Sequence, residues 1–295
     1  MPYWIGMLGL FIGLFSPAAG VLFLIPASGK SFMENTRETY RFFIGWFIVC
    51  AFLYLINFID KIQTLNLIAG AGLSCLFLFH LLKRNLGLNQ VFMLLLLLNT
   101  LFIAFRQFLF FDIIVLQYNQ AVEEAVRVVS SRFTENSEQY LIFMEMIEIS
   151  RMFYMQYSPG IWISTMMLCL MLGYFFLSRK REDMSSIKFY QTHVYVIYSL
   201  VVALLIAIFV QQYRVFAINY LVALVPLFLI QGLCVLHAKI GSWLAQSKVL
   251  IAVSVLMLIL NPYIVLFVSV IGLFDNWFDF RNLSKSEDLN EGHTN

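Results

Sequence analysis

Charged side chains are scarce in this chain. Asp, Glu, Lys and Arg make up 12% of its 295 residues, against about 25% in a soluble globular domain. Hydrophobic residues reach 61% and the mean hydropathy is +0.83, which excludes an ordinary water-soluble fold. A net charge of +2 supplies no basic face for a polyanion, so nothing supports a nucleic-acid partner. Cysteine is thin as well. Cys50, Cys75, Cys169 and Cys234 lie in four different apolar stretches. None is paired at CxxC spacing, which argues against a disulfide framework or a zinc site. His80, His193, His237 and His293 are equally scattered. HExxH, GxSxG and Walker patterns are absent, so no catalytic, cofactor or metal residue is assigned and an enzyme is not expected. The two-residue alternation of a membrane barrel is missing too.

What the chain has is long apolar runs. Eight can be drawn, over Tyr3–Leu24, Phe42–Ile59, Ile62–Leu82, Leu88–Leu116, Pro159–Leu177, Val194–Val210, Val215–Leu236 and Leu250–Phe274. A bilayer crossing takes about 20 apolar residues, so the expected fold is all-α, a polytopic bundle of about eight spans. The first run lacks a basic leader and reads as a span, not a signal peptide. One transmembrane domain is expected over residues 1–281, followed by a disordered polar tail over 282–295. Alternate connections carry Lys30, Arg37, Arg41, Lys83, Arg84, Arg179, Lys180, Arg181, Lys188, Lys239 and Lys248. The positive-inside rule puts that group in the cytoplasm. With eight spans, both termini would then lie outside.

The longest departure from lipid-soluble helix is Arg106 to Tyr157. Val122, Ala125, Val126, Val129 and Phe133 form an apolar stripe at helical spacing, with Glu123, Glu124 and Arg127 on the other side. Thr134 to Ser137 breaks the pattern, and Asn136 or Ser137 can cap the next helix. That second helix, about Glu138 to Tyr157, carries Glu145, Glu148 and Arg151 at i, i+3 and i+6, and the last two can pair. An amphipathic helical hairpin over 117–157 is therefore expected between spans four and five, on the outer side.

Polar residues also stand inside the apolar runs. Arg106, Gln107 and Asp112 interrupt the fourth. Arg106 and Asp112 differ by about 9 Å of helical rise and cannot easily satisfy one another. Two readings stay open: a span ending near Ala104, with Arg106 snorkelling at the interface, or charges that face a cavity. Asn219 and Gln231-Gly232 lie in the seventh run, where carboxamides either bridge helices or contact a substrate. Pro262, after Asn261, should bend the eighth.

The eighth run ends in Gly272-Leu273-Phe274-Asp275-Asn276-Trp277-Phe278-Asp279-Phe280-Arg281. It reads as an aromatic belt, with Trp277 and Arg281 in cation–π register if the helix continues. This string resembles the terminal signature of the YybS-like bacterial inner-membrane proteins, a domain of unknown function. Gln231-Gly232 in a late span and the glutamate-bearing stretch ahead of Pro159 resemble the family too. The resemblance covers about residues 90 to 283 and singles out Asp275, Trp277, Asp279 and Arg281. It implies a multi-pass protein of the bacterial inner membrane. It carries over no catalytic residues and adds only an analogy to energy-coupling-factor substrate subunits and MreD-type proteins.

Two functions follow as expectations. One is a transport-related substrate-binding subunit, with Arg106, Asp112, Glu145, Glu148, Arg151 and Gln231 around a polar cavity. A small-molecule ligand and a partner ATPase engine would go with it. The other is a non-enzymatic envelope scaffold that docks a protein partner through the hairpin. Charges facing the bundle favour the first, and charges facing solvent favour the second.

Overall fold

A computed structural model of the chain describes residues 3–34, 36–84, 86–133, 137–178, 190–244 and 247–282. The expected cap at Asn136, the basic cluster Arg179-Lys180-Arg181 and the tail beyond Asn282 lie outside these residues. Among them the regular structure is helical throughout. In chain order it comprises α1 (Tyr3–Phe15), α2 (Pro17–Glu34), α3 (Thr36–Leu55), α4 (Lys61–Leu65), a π-helical stretch (Asn66–Leu73) and α5 (Ser74–Lys83). There follow α6 (Leu88–Ser130), α7 (Glu138–Ser178), α8 (Val194–Phe209), α9 (Arg214–Leu244), α10 (Lys248–Leu260) and α11 (Pro262–Phe278).

Among the described residues five helical stretches are long and apolar enough to cross a membrane, or six if the bent pair α10–α11 counts as one. The count of eight spans is therefore not confirmed, and the causes are local. The first run breaks at Ser16. Its hydroxyl oxygen accepts from the Ala19 amide at 3.4 Å, and Pro17 opens α2, where its missing N–H costs nothing. The chain then doubles back. A Cβ on Gly20 would stand 2.9 Å from the Gly13 Cα, so α1 and α2 form a close-packed hairpin. The eighth run breaks at Asn261, whose side chain accepts from the Tyr263 amide at 2.9 Å. The expected bend at Pro262 becomes a 98° turn between α10 and α11. The sixth run forms α8, 16 residues long, about 24 Å against a hydrocarbon core of about 30 Å.

These breaks also change which described ends of the chain lie together. Gly6 of α1 packs on Phe42, near the start of α3, while the Leu14 carbonyl accepts from Gln63 at the other end. The end of α11 meets Tyr190, just before α8. The start of α1 and the end of α11 thus share the end of the bundle that carries Arg41, Lys83 and Lys239. The positive-inside rule would make that end the inner, cytoplasmic one.

The core lies where α2, the π-helical stretch, α5, α6, α7 and α9 meet. Phe43, Phe79, Phe92, Met166, Met167, Leu170 and Tyr174 are fully or almost fully buried there. Rings lock edge to face, with Phe92 5.8 Å from Tyr174 and 5.5 Å from Tyr190, a favoured geometry for aromatic pairs.

Helices α6 and α7 run far beyond the bundle. Their 43 and 41 residues span about 60 Å each, twice the hydrocarbon thickness. The amphipathic helices are thus continuations of two spans. In α6 the departure is marked by Phe110, whose backbone leaves helical geometry at φ −126°, ψ 15°. In α7 Pro159, expected to open a span, sits inside the helix. Ser137 caps α7 by accepting from the Tyr140 amide at 3.3 Å.

Candidate functional site

Three polar constellations stand out, at the inner end, in the middle of the bundle and on the outer arm.

The inner one is built from the terminal signature. Helix α11 ends at Asp279, in left-handed geometry at φ 43°, ψ 53°, which returns the chain toward the bundle. Arg281 thereby folds back onto Asp275. Its Nη2 donates to Asp275 Oδ2 at 2.6 Å and its Nε to the same oxygen at 2.9 Å, with both side chains at most 2% exposed. Nη2 also donates to the Tyr190 carbonyl at 3.0 Å. Gln231 joins from α9: its Nε2 donates to Asp275 Oδ2 at 3.0 Å, while its Oε1 accepts from the Thr192 amide at 2.9 Å. Burial pushes the Tyr190 phenol up. The cluster is reachable because Gly232 and Gly272 let α9 and α11 touch. A Cβ on Gly232 would strike the Val268 carbonyl, and one on Gly272 the Phe228 carbonyl. The ion pair fastens α9, α11 and the segment before α8 into one unit. A cleft of about 400 Å³ lies beside it, lined by Asn89, Thr192, His193, Asn276 and Trp277 among others.

Arg281 therefore does not sit in helical register with Trp277. The last helical residue, Phe278, lies three residues before it, which removes the condition for the expected cation–π pair. Trp277 is 59% exposed and packs beside Phe274, with ring centroids 6.1 Å apart. This suits the expected aromatic belt.

The second constellation surrounds Arg106, which is 5% exposed. Nη1 donates to Asn66 Oδ1 at 3.1 Å, and the guanidinium lies 5.9 Å from the Trp162 ring centroid. Asn66 opens the π-helical stretch, a distortion frequent at functional positions. Arg106 Nε and Gln107 Oε1 are buried and have no partner among the described residues. No carboxylate pairs with Arg106 there. Close by, Asn219 mends the backbone of α7. Pro159 distorts the ladder, and the Gly160 amide donates to Asn219 Oδ1 at 2.7 Å while Asn219 Nδ2 donates to the Gln156 carbonyl at 2.7 Å. One carboxamide thus stands in for a lost helical hydrogen bond, joining α7 to α9.

The third constellation is the arm. Asp112, Glu145, Glu148 and Arg151 are all exposed, and Glu148 and Arg151 form no ion pair among the described residues. Val122, Val126 and Val129 are half-buried, on the side of α6 where Tyr118 stacks on Tyr154 of α7 at 4.8 Å. Ala125 and Phe133, expected in the same stripe, are exposed.

Of the six residues expected around one cavity, four are thus exposed, while Arg106 and Gln231 are buried with separate partners. The structure brings Gln231 together with Asp275 and Arg281 instead. Sequence reasoning missed Asn66, Trp162, Tyr190 and Thr192. Asn66 had a signal, a carboxamide in an apolar run. Tyr190 and Thr192 had none, because they contribute backbone atoms that any residue could supply.

Such an architecture, an all-helical polytopic bundle whose backbone groups bond within its own helices, is that of an integral membrane protein. The chain belongs to the family described as "Predicted membrane protein (DUF2232)", whose model matches residues 4–276, in agreement with the YybS-like resemblance. The match extends the likeness to the first 80 residues, which motif reading had left out. No curated protein and no solved structure matches the chain.

Proposed function

We propose that this protein is a docking component of the bacterial inner membrane, which binds a partner protein through its outer arm and catalyses no reaction itself. The observation that supports this is the direction of the arm's side chains. Glu145, Glu148 and Arg151 face outward, and beside them Ile142, Met146, Ile149 and Phe153 recur at i, i+4, i+7 and i+11. Their exposures are 50%, 63%, 59% and 54%. An apolar stripe flanked by charges, on a helix too long to lie within the bilayer, suits a protein surface better than lipid. Native mass spectrometry after gentle extraction from the protein's own membrane tests this. Wild type should retain a partner protein, and the triple change Ile142→Ser, Ile149→Ser, Phe153→Ser should lose it while the bundle keeps its melting temperature. A partner retained equally by the variant, or no partner on wild type, counts against the proposal.

A second reading has one specific support, the Arg106 guanidinium buried without a carboxylate. A transport-related subunit that captures an anionic small molecule would use such a group, with an ATPase partner as its engine. It predicts a small-molecule mass held by wild type and released by Arg106→Gln.

A further inference from the structure

A groove of about 520 Å³ runs between α1 and α3, at the cytoplasmic end. Its α3 wall is a single helical stripe, Glu38, Arg41, Phe42, Gly45, Trp46 and Val49, at i, i+3, i+4, i+7, i+8 and i+11. The stripe has a polarity gradient: two opposite charges at its mouth, then apolar surface from Phe42 to Val49 for about 10 Å of helix. From α1, Met7 and Leu10 extend that apolar surface. Neither Glu38 nor Arg41 forms an ion pair among the described residues. Trp46, 6% exposed, has its indole Nε1 buried with no partner there. A Cβ added at Gly45 would meet nothing within 4 Å, so the groove is open along the middle of the stripe.

We propose that this groove is a binding site for one glycerophospholipid of the inner leaflet, with a zwitterionic phosphoethanolamine head. The head's two charges match the two side chains. Arg41 takes the phosphate as a charge-assisted donor, and Glu38 accepts from the ammonium. Trp46 lies five residues, about 7.5 Å of helix, below Arg41. The ester linkages of a glycerophospholipid lie just below its phosphate, level with the part of the Trp46 side chain that lines the groove. One acyl chain then lies over Gly45 and Val49, against Met7 and Leu10. A phosphatidylglycerol head satisfies Arg41 but sets no cation against Glu38, so the pair of charges selects between the two lipids. Lysines and arginines at this end of the bundle place the site in the cytoplasmic leaflet.

The test is native mass spectrometry of the full-length protein released from nanodiscs of equimolar palmitoyl-oleoyl phosphatidylethanolamine and phosphatidylglycerol. Wild type should hold a single lipid adduct at high collision energy, enriched at least fivefold in phosphatidylethanolamine over the bulk. Gly45→Phe, whose ring projects into open groove, should lose the adduct at unchanged thermal stability, and Gly45→Ala should keep it. Glu38→Gln leaves the apolar surface intact, and should keep a lipid while dropping its preference to about onefold. A wild-type adduct matching the bulk ratio would mark annular lipid only and overturn the proposal. An adduct unaffected by Gly45→Phe, or a preference unaffected by Glu38→Gln, would overturn it too.

Discussion

Two arginine side chains are buried among the described residues, and their surroundings differ. Arg281 has a carboxylate at 2.6 Å and a backbone carbonyl at 3.0 Å, so its charge is cancelled inside the fold. Among the described residues Arg106 has only the neutral Asn66 amide at 3.1 Å and the Trp162 face, and its Nε is unpartnered there. Removing one member of a buried ion pair leaves an uncompensated charge, whereas removing a cation that has no counter-ion relieves one. Arg281 is therefore a fastener. Arg106 is a charge whose chemistry the described fold leaves open, the position expected of a group that serves something besides stability.

The comparison can be broken or sharpened by substitution. The largest effect should come from Asp275→Ala, which strands Arg281 in the cluster and should cost about 3–5 kcal/mol. Equilibrium unfolding in mild detergent measures it, and the double change Asp275→Leu, Arg281→Met should recover most of the loss. If the single change were as mild as the double, the pair would not be the fastener. Next comes Gly272→Ala, which sets a methyl group against the Phe228 carbonyl and forces α9 and α11 apart. Overpacking of this kind costs about 1–3 kcal/mol, read as a lower melting temperature. Asn219→Leu should cost a similar or smaller amount, about 1–3 kcal/mol, because it leaves the Gly160 N–H and the Gln156 carbonyl unsatisfied. Faster hydrogen exchange confined to the amides around Gly160 would report it. The smallest change should come from Arg106→Met, within about 1 kcal/mol of wild type or on the stabilising side. A loss as large as that of Asp275→Ala would mean that Arg106 is a second fastener and would erase the contrast.

How much of this was legible beforehand depended on how local the cause was. Helical periodicity over Val122–Val129 and Glu138–Tyr157 marked helix where α6 and α7 run, because such a pattern is carried by the helix itself. Asn219 and Gln231 announced helix bridging by being carboxamides in apolar runs. Hydropathy could not distinguish a crossing from a hairpin in Tyr3–Leu24, because both are apolar throughout. The turn rests on Ser16-Pro17 and on glycines that face each other only after the chain has folded back. The signature was visible as a string, but its chemistry required Asp279 to adopt a left-handed cap that a helical reading of the same residues hides. The outward direction of Glu145, Glu148 and Arg151 was also beyond the sequence. It depends on which face of α7 packs against α6, and both faces carry apolar residues.

The carboxamide of Asn219 imposes an order of events on biosynthesis. The backbone groups it satisfies at Gly160 lie 59 residues earlier in the chain. At about 5–20 residues per second, α7 waits roughly 3–12 s after its own synthesis before that part of α9 exists. Through that interval a distorted stretch of backbone holds an unsatisfied donor and acceptor at membrane depth. The protein is then at its most dependent on whatever shelters half-made helices, so a translational pause between Gly160 and Asn219 should lower its yield more than a pause after Asn219.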